Sequence, residues 1–127
     1  MNDADATRVW VRDEEWAAIR SVASEIVLLR AVHDGNDRRF VNAALSVMVG
    51  NCYWMSLPPE QFGDWKSNRS RNDRWIERGV WAHLVERGAV AEEWSRKIAE
   101  RSDRHRRQKQ RRATRRRVKL LDDDRWE

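Results

Sequence analysis

The chain has 127 residues, with 26 Lys and Arg, 21 Asp and Glu, and a formal net charge of +5. That length allows one modest hydrophobic core and excludes a small core joined to a complete nuclease or transferase domain. Gly and Pro are scarce, Ala, Arg, Glu and Leu are common, and alternating Val/Ile/Thr runs are missing, so the composition points to an all-α chain.

Residues 1–12 read as a flexible lead-in. A helix is expected from Asp13, because Asp13, Glu14 and Glu15 suit the positive end of a helix. Its apolar face is Trp16, Ile19, Val22, Ala23, Ile26 and Leu29, at spacings of three and four. His33-Asp34-Gly35-Asn36 is a turn. A second helix follows from about Asp37 to Val49, with Phe40, Val41, Ala44, Leu45 and Met48 as its buried stripe and Gly50-Asn51 as its stop. Leu57-Pro58-Pro59 is a rigid break.

From Glu60 to Arg78 the anchors are Phe62, Trp65 and Trp75, with a polar, basic stretch between them. Gly79 punctuates that stretch. Val80, Trp81, Leu84 and Val85 make a short helix ending at Gly88, and residues 89–101 form a weaker one around Val90, Trp94 and Ile98. Residues 102–127 are an Arg-rich, low-complexity tail, expected to be unstructured. The fold expected is a small bundle of four to five short helices over 13–101. Trp16, Trp54, Trp65, Trp75 and Trp81 are assigned to its core.

Charge is unevenly placed. Residues 1–95 carry 12 Lys and Arg against 15 Asp and Glu, whereas residues 96–119 carry 13 against 2. Such a basic block commonly meets phosphate or an anionic surface. The lone Cys52 can form no internal disulfide, which fits a reducing cytoplasm. No apolar run approaches the ~20 residues that span a bilayer, and the polar, acidic start has no signal-peptide core. With little more than Val118, Leu120 and Leu121 to supply apolar area, the tail is a poor membrane anchor.

The order and spacing of several short pieces resemble the N-terminal domain of bacterial insertion-sequence transposases of the acid-triad type. These pieces are Asp13-Glu14-Glu15-Trp16, Arg38-Arg39-Phe40-Val41-Asn42-Ala43-Ala44-Leu45, Cys52-Tyr53-Trp54-Met55-Ser56-Leu57-Pro58, Phe62-Gly63-Asp64-Trp65-Lys66-Ser67, Arg74-Trp75 and Gly79-Val80-Trp81. The resemblance implies a helical DNA-binding domain with a helix-turn-helix-like element that holds the ends of a mobile element. It stops near Trp94, where the family would continue into a strand carrying the first catalytic Asp. The expectation is therefore a non-enzymatic front end without the catalytic domain, using no cofactor or metal. Its expected place is the cytoplasm, at the nucleoid. Two further departures concern packing. Asn68, Arg69 and Asn72 replace expected core contacts in the fourth segment, and Asn51 stands where the family has Gly before the Cys.

The DNA-binding residues expected on this basis are Lys66, Arg69, Arg71, Arg74 and Arg78, with Asn68 and Asn72 facing adenine edges. Arg106, Arg107, Arg111, Arg112, Arg115, Arg116 and Arg117 are expected to neutralise phosphates without sequence preference. No aromatic residue lies among them to stack on single-stranded bases. The partner is double-stranded DNA at terminal inverted repeats, alongside a full-length transposase or a second-frame product. No membrane is expected.

Other chemistry is poorly supported. His33, His83, His105 and Cys52 lack zinc spacing, a Cys52–His83 pair reads as a buried thiol and a surface imidazole, and Asp122-Asp123-Asp124 reads as a charge-balancing end. Two other functions stay open: a degenerate transposase fragment with no selected activity, and a non-specific nucleic-acid-binding basic protein.

Overall fold

The computed structural model describes residues 6–124, with side chains as far as Asp122. Among these residues there are six α-helices and no strand. They are α1 (Asp13–Ala23), α2 (Asp34–Met48), α3 (Pro59–Phe62), α4 (Trp65–Glu77), α5 (Val80–Glu86) and α6 (Glu92–Asp124). The all-α bundle expected from composition is the observed fold.

α1 begins where its three acids predict, and Glu15 accepts a hydrogen bond from the Arg12 backbone N–H at 2.8 Å. It stops at Ala23, six residues before its apolar pattern ends. Beyond Ala23 the amides of Glu25 and Ile26 bond three residues back, to Val22 and Ala23, which tightens and ends the helix. Glu25 pairs with His83 of α5 and with Arg87 just beyond it. Val27 is buried and Ile26 and Leu29 still pack on the core, from a turn instead of a helix.

α2 is the central helix, with every residue from Phe40 to Met48 buried. Around it lie Ile19, Trp75, Val80, Trp81, Leu84 and Ile98, each at most 3% exposed. A smaller cluster of Ala43, Val47, Cys52, Leu57 and Phe62 sits on its other side. There Trp10 stacks on Phe62 with ring centroids 4.7 Å apart. This cluster holds α3, and thereby the start of α4, against α2.

Other segments also differ from expectation: Asp34, Gly35 and Asn36, expected in a turn, already belong to α2. Thr7 to Val11 are pinned along α2 instead of forming a loose lead-in. The amides of Thr7, Val9 and Val11 donate to Gly50 O (2.7 Å), Ser46 Oγ (2.8 Å) and Asn42 Oδ1 (2.9 Å). Buried Asn42 and Ser46 thus serve as acceptors for the amides of this irregular N-terminal segment. Residues 1–5 lie outside the described residues. At the other end, residues 102–124 are helical, where an unstructured tail was expected. α6 runs unbroken for 33 residues, about 50 Å at 1.5 Å per residue. Its root is nucleated by packing of Ile98 and Ser102, both buried, and the rest contains no Gly or Pro to break it.

Of the five tryptophans assigned to the core, Trp16, Trp75 and Trp81 are buried; Trp54 and Trp65 are half-buried.

Candidate nucleic-acid interface

α4 is positioned at both ends. Asp64 caps its N-terminus, accepting from the Ser67 amide at 3.0 Å and the Ser67 hydroxyl at 2.8 Å. These bonds, the backbone one foremost, hold the Asp64 carboxyl below its ordinary 3.8. Gly79 closes the far end at φ 77°, a left-handed turn that leads straight into α5.

The buried face of α4 is Asn72, Trp75 and Ile76. The other face carries Lys66, Ser70, Arg74 and Arg78 at intervals of four, a single exposed stripe. Lys66 Nζ lies 5.7 Å from the Trp65 ring centroid, and Arg78 leans on Ile26 O at 3.4 Å. Arg69 is exposed on the edge that faces α6. Arg71 is set apart. Its Nη2 is 2.9 Å from Asp37 Oδ1, and its guanidinium lies 4.4 Å from the Phe40 centroid and 5.6 Å from that of Trp75. That ion pair and aromatic seat hold Arg71 against the body.

Asn68 and Asn72 do not face outward to read bases. Asn68 Nδ2 donates to Phe62 O at 2.8 Å. Asn72 is buried, accepts from Trp81 Nε1 at 2.6 Å and donates to Met48 Sδ at 3.4 Å. Contrary to expectation both are built into the packing of α4, Asn68 through its Nδ2 and Asn72 through both of its polar atoms. Asn51 at φ 60° takes the left-handed conformation that Gly otherwise supplies, and Asn tolerates it better than other side chains.

α6 is fastened to α4 by a polar clasp. His105 Nε2 is 3.2 Å from Glu77 Oε1 and its Nδ1 is 3.6 Å from Asp73 Oδ1; Lys109 Nζ is 2.8 Å from Glu77 Oε1. Lys109 first, then His105, holds the Glu77 carboxyl below its ordinary 4.5. Arg106 also reaches back, donating to Ile76 O at 3.2 Å with Asp103 3.7 Å away. Beyond Lys109 the helix is exposed on all sides. Arg107, Arg111 and Arg115 run along one edge at intervals of four. Arg112 and Arg116 lie on the edge nearer α4, and Arg117 is exposed. Ten Lys and Arg fall between Arg104 and Lys119, with no acid among them.

Sequence reasoning passed over Arg101, whose Nη2 donates to Val47 O at 3.0 Å, and Lys97, whose Nζ reaches Val49 O at 3.4 Å. Both sit at the carbonyl end of α2, where a cation complements the helix dipole. The signal available was their spacing beside Ile98 on one face of a helix.

Cys52 and His83 belong to separate neighbourhoods. Cys52 is buried near Gly50 O, and burial raises its thiol pKa. His83 pairs with Glu25. Among the described residues no three His, Cys, Asp or Glu side chains gather as metal ligands, and no helix is long and apolar enough to cross a membrane.

Residues 11–85, from the end of the pinned N-terminal segment through nearly all of α5, match the family described as "Putative transposase of IS4/5 family". The chain belongs to that family. It is also 31% identical over 75 residues to the uncharacterized protein y4sN of Sinorhizobium fredii (strain NBRC 101917 / NGR234), an alignment covering 59% of each chain. The chain therefore spans under two thirds of that relative. No solved structure matches it. The transposase family match covers α1 to α5, so α6 lies outside it.

Proposed function

We propose that this chain is a DNA-holding module of an IS4/5-type transposase, binding duplex DNA at the ends of the mobile element and breaking no bonds itself. The observation that carries this reading is the pairing of two basic surfaces on one clasp. α4 offers the stripe Lys66, Arg74 and Arg78, with Arg69 on its edge, and α6 extends an acid-free run of arginines from the same junction. In this reading α3 and α4 act as the helix-turn-helix-like pair, with α4 in the major groove, where Arg reads guanine. α6 supplies phosphate contacts through Arg106, Arg107, Arg111, Arg112, Arg115, Arg116 and Arg117. Arg71 positions α4 through Asp37. The setting is the bacterial nucleoid, and a full-length transposase would compete for the same sites.

The test is duplex binding by fluorescence anisotropy, comparing the inverted repeats that flank the gene with a shuffled duplex. We expect tighter binding to the repeats, and both affinities falling steeply between about 50 and 200 mM salt. Equal affinity for both duplexes would remove the end-recognition role. It would leave the second reading, a non-specific nucleic-acid binder driven by α6, which is favoured by the cations all round that helix. Neutralising α6 separates the two: the second reading loses all binding, whereas the first keeps its preference for the repeats. The third reading, a decayed fragment, loses its packing argument now that Asn68 and Asn72 have partners.

A further inference from the structure

We propose that Arg69, Arg101 and Arg104 form a phosphate clamp in the groove between α4 and α6, at the root of the arginine helix. The groove encloses about 210 Å³, with Val47, Met48 and Ile76 among its walls. The inference rests on the DNA-holding reading and adds to it a discrete anion site, using Arg101, a residue outside the basic runs expected to meet DNA.

Three observations converge. First, the three arginines come from two helices and line one groove. Second, among the described residues none of the three has a carboxylate within 4.0 Å. Arg20, Arg38 and Arg71, also set against the body, each have one within 3.0 Å. The acid lining this groove, Asp73, is directed to His105. Third, Arg101 is half-buried, and its one hydrogen bond to Val47 O leaves the other edge of the guanidinium without a partner. Burial and the neighbouring charge of Arg104 lower the Arg101 pKa, a sign that its charged form lacks compensation. The partial charge at the end of α2 is too small to balance two cations. A phosphate group would accept the free forked edges of these guanidiniums, in the geometry that arginine matches best. The hydrogen bond to Val47 O fixes Arg101 in advance, so less freedom is lost on binding.

A phosphodiester in DNA and free phosphate share this chemistry, and the test separates them. The full-length chain is compared with Arg69→Gln, Arg104→Gln and Arg101→Gln. The first two alter exposed side chains and carry the test if Arg101→Gln loosens the fold. Duplex affinity is measured between about 50 and 200 mM salt, and the thermal midpoint is measured in inorganic phosphate against chloride at equal ionic strength. We expect Arg69→Gln and Arg104→Gln to weaken duplex binding several-fold. Each should lower the slope of log affinity on log salt by about 0.9 per lost contact, and should abolish the stabilisation by inorganic phosphate. If the phosphate stabilisation is lost while duplex affinity and slope stay unchanged, the clamp holds free phosphate and its link to DNA falls. If the wild-type chain binds no duplex, the DNA-holding reading fails and the clamp is judged on the phosphate effect alone. Stabilisation that is absent in the wild type, or the same in all variants, together with an unchanged slope, overturns the clamp.

Discussion

Asn72 occupies a position where the apolar pattern of α4 calls for a hydrophobe, yet it is 4% exposed and fully engaged. Its side-chain oxygen satisfies the indole of Trp81, itself 0% exposed, so the two residues are one unit. Asn72→Ala should cost about 1–3 kcal/mol, because it strands a buried donor. Trp81→Ala should cost about 3–5 kcal/mol through the lost ring. The Asn72→Leu/Trp81→Phe double variant, with neither polar group, should lose clearly less than the sum of its single changes in denaturant unfolding. Strict additivity would show that the 2.6 Å bond carries no coupling. Periodicity could place residue 72 on the inner face but could not reveal that an indole N–H waits there. Gly50 is fixed by another contact the sequence hides: a Cβ would meet Thr7 O at 1.8 Å. Gly50→Ala should displace the N-terminal segment and expose the amides of Thr7, Val9 and Val11 to hydrogen exchange. Protection equal to wild type would contradict that close approach.

At the scale of elements, the boundaries marked by charge or glycine were legible: the acids at Asp13–Glu15, Gly79 between α4 and α5, and Gly88 after α5. Apolar spacing alone overextends α1, because it continues through the turn after Ala23, where hydrogen bonds shift to three residues back and the helix ends. α6 was read as a coil because it lacks an apolar face beyond its root. Its outer half stacks like charges at intervals of four, Arg107–Arg111–Arg115–Lys119 and Arg112–Arg116, and each such pair opposes the helix by a few tenths of a kcal/mol. Helicity there should therefore depend on anions. Far-UV circular dichroism should show more helix on addition of duplex DNA or polyphosphate. Arg111→Glu should raise helicity at low salt while weakening duplex binding. A spectrum insensitive to polyanions would mean that packing at Ile98 and Ser102 alone sustains the whole rod.

For the whole molecule, the sequence made the helical class and the transposase resemblance readable over Asp13–Gly88, because those rest on local spacing. It could not show which acids meet which bases. The α4–α6 clasp joins residues 28 and 32 positions apart (Glu77 with His105 and Lys109). The clasp predicts an acid limb of stability. The folded pKa of Glu77 is depressed below 4.5, so its contribution is present above the unfolded value and is lost as pH falls through the folded one. Glu25, lowered chiefly by its bond to His83 and then by Arg87, and Asp64 act in the same direction. Glu77→Gln should be less stable at neutral pH and should show a smaller drop in thermal midpoint between about pH 5 and pH 3. An equal drop in variant and wild type would remove the clasp from that balance.

α6 carries its outer cations on one unbroken helix. With a polyanion steadying the helix, Arg104 to Lys119 span about 22 Å from first cation to last, and the acid Asp122 follows within one turn. DNA rises 3.4 Å per base step along each strand, so under the proposed function that length would match about six base pairs. Where a flexible tail would blur its contacts along the duplex, a rod ending in a repulsive acid measures out a fixed length. Backbone cleavage protection should then end abruptly, and moving the acid one turn outward should lengthen the protected tract by one or two base pairs.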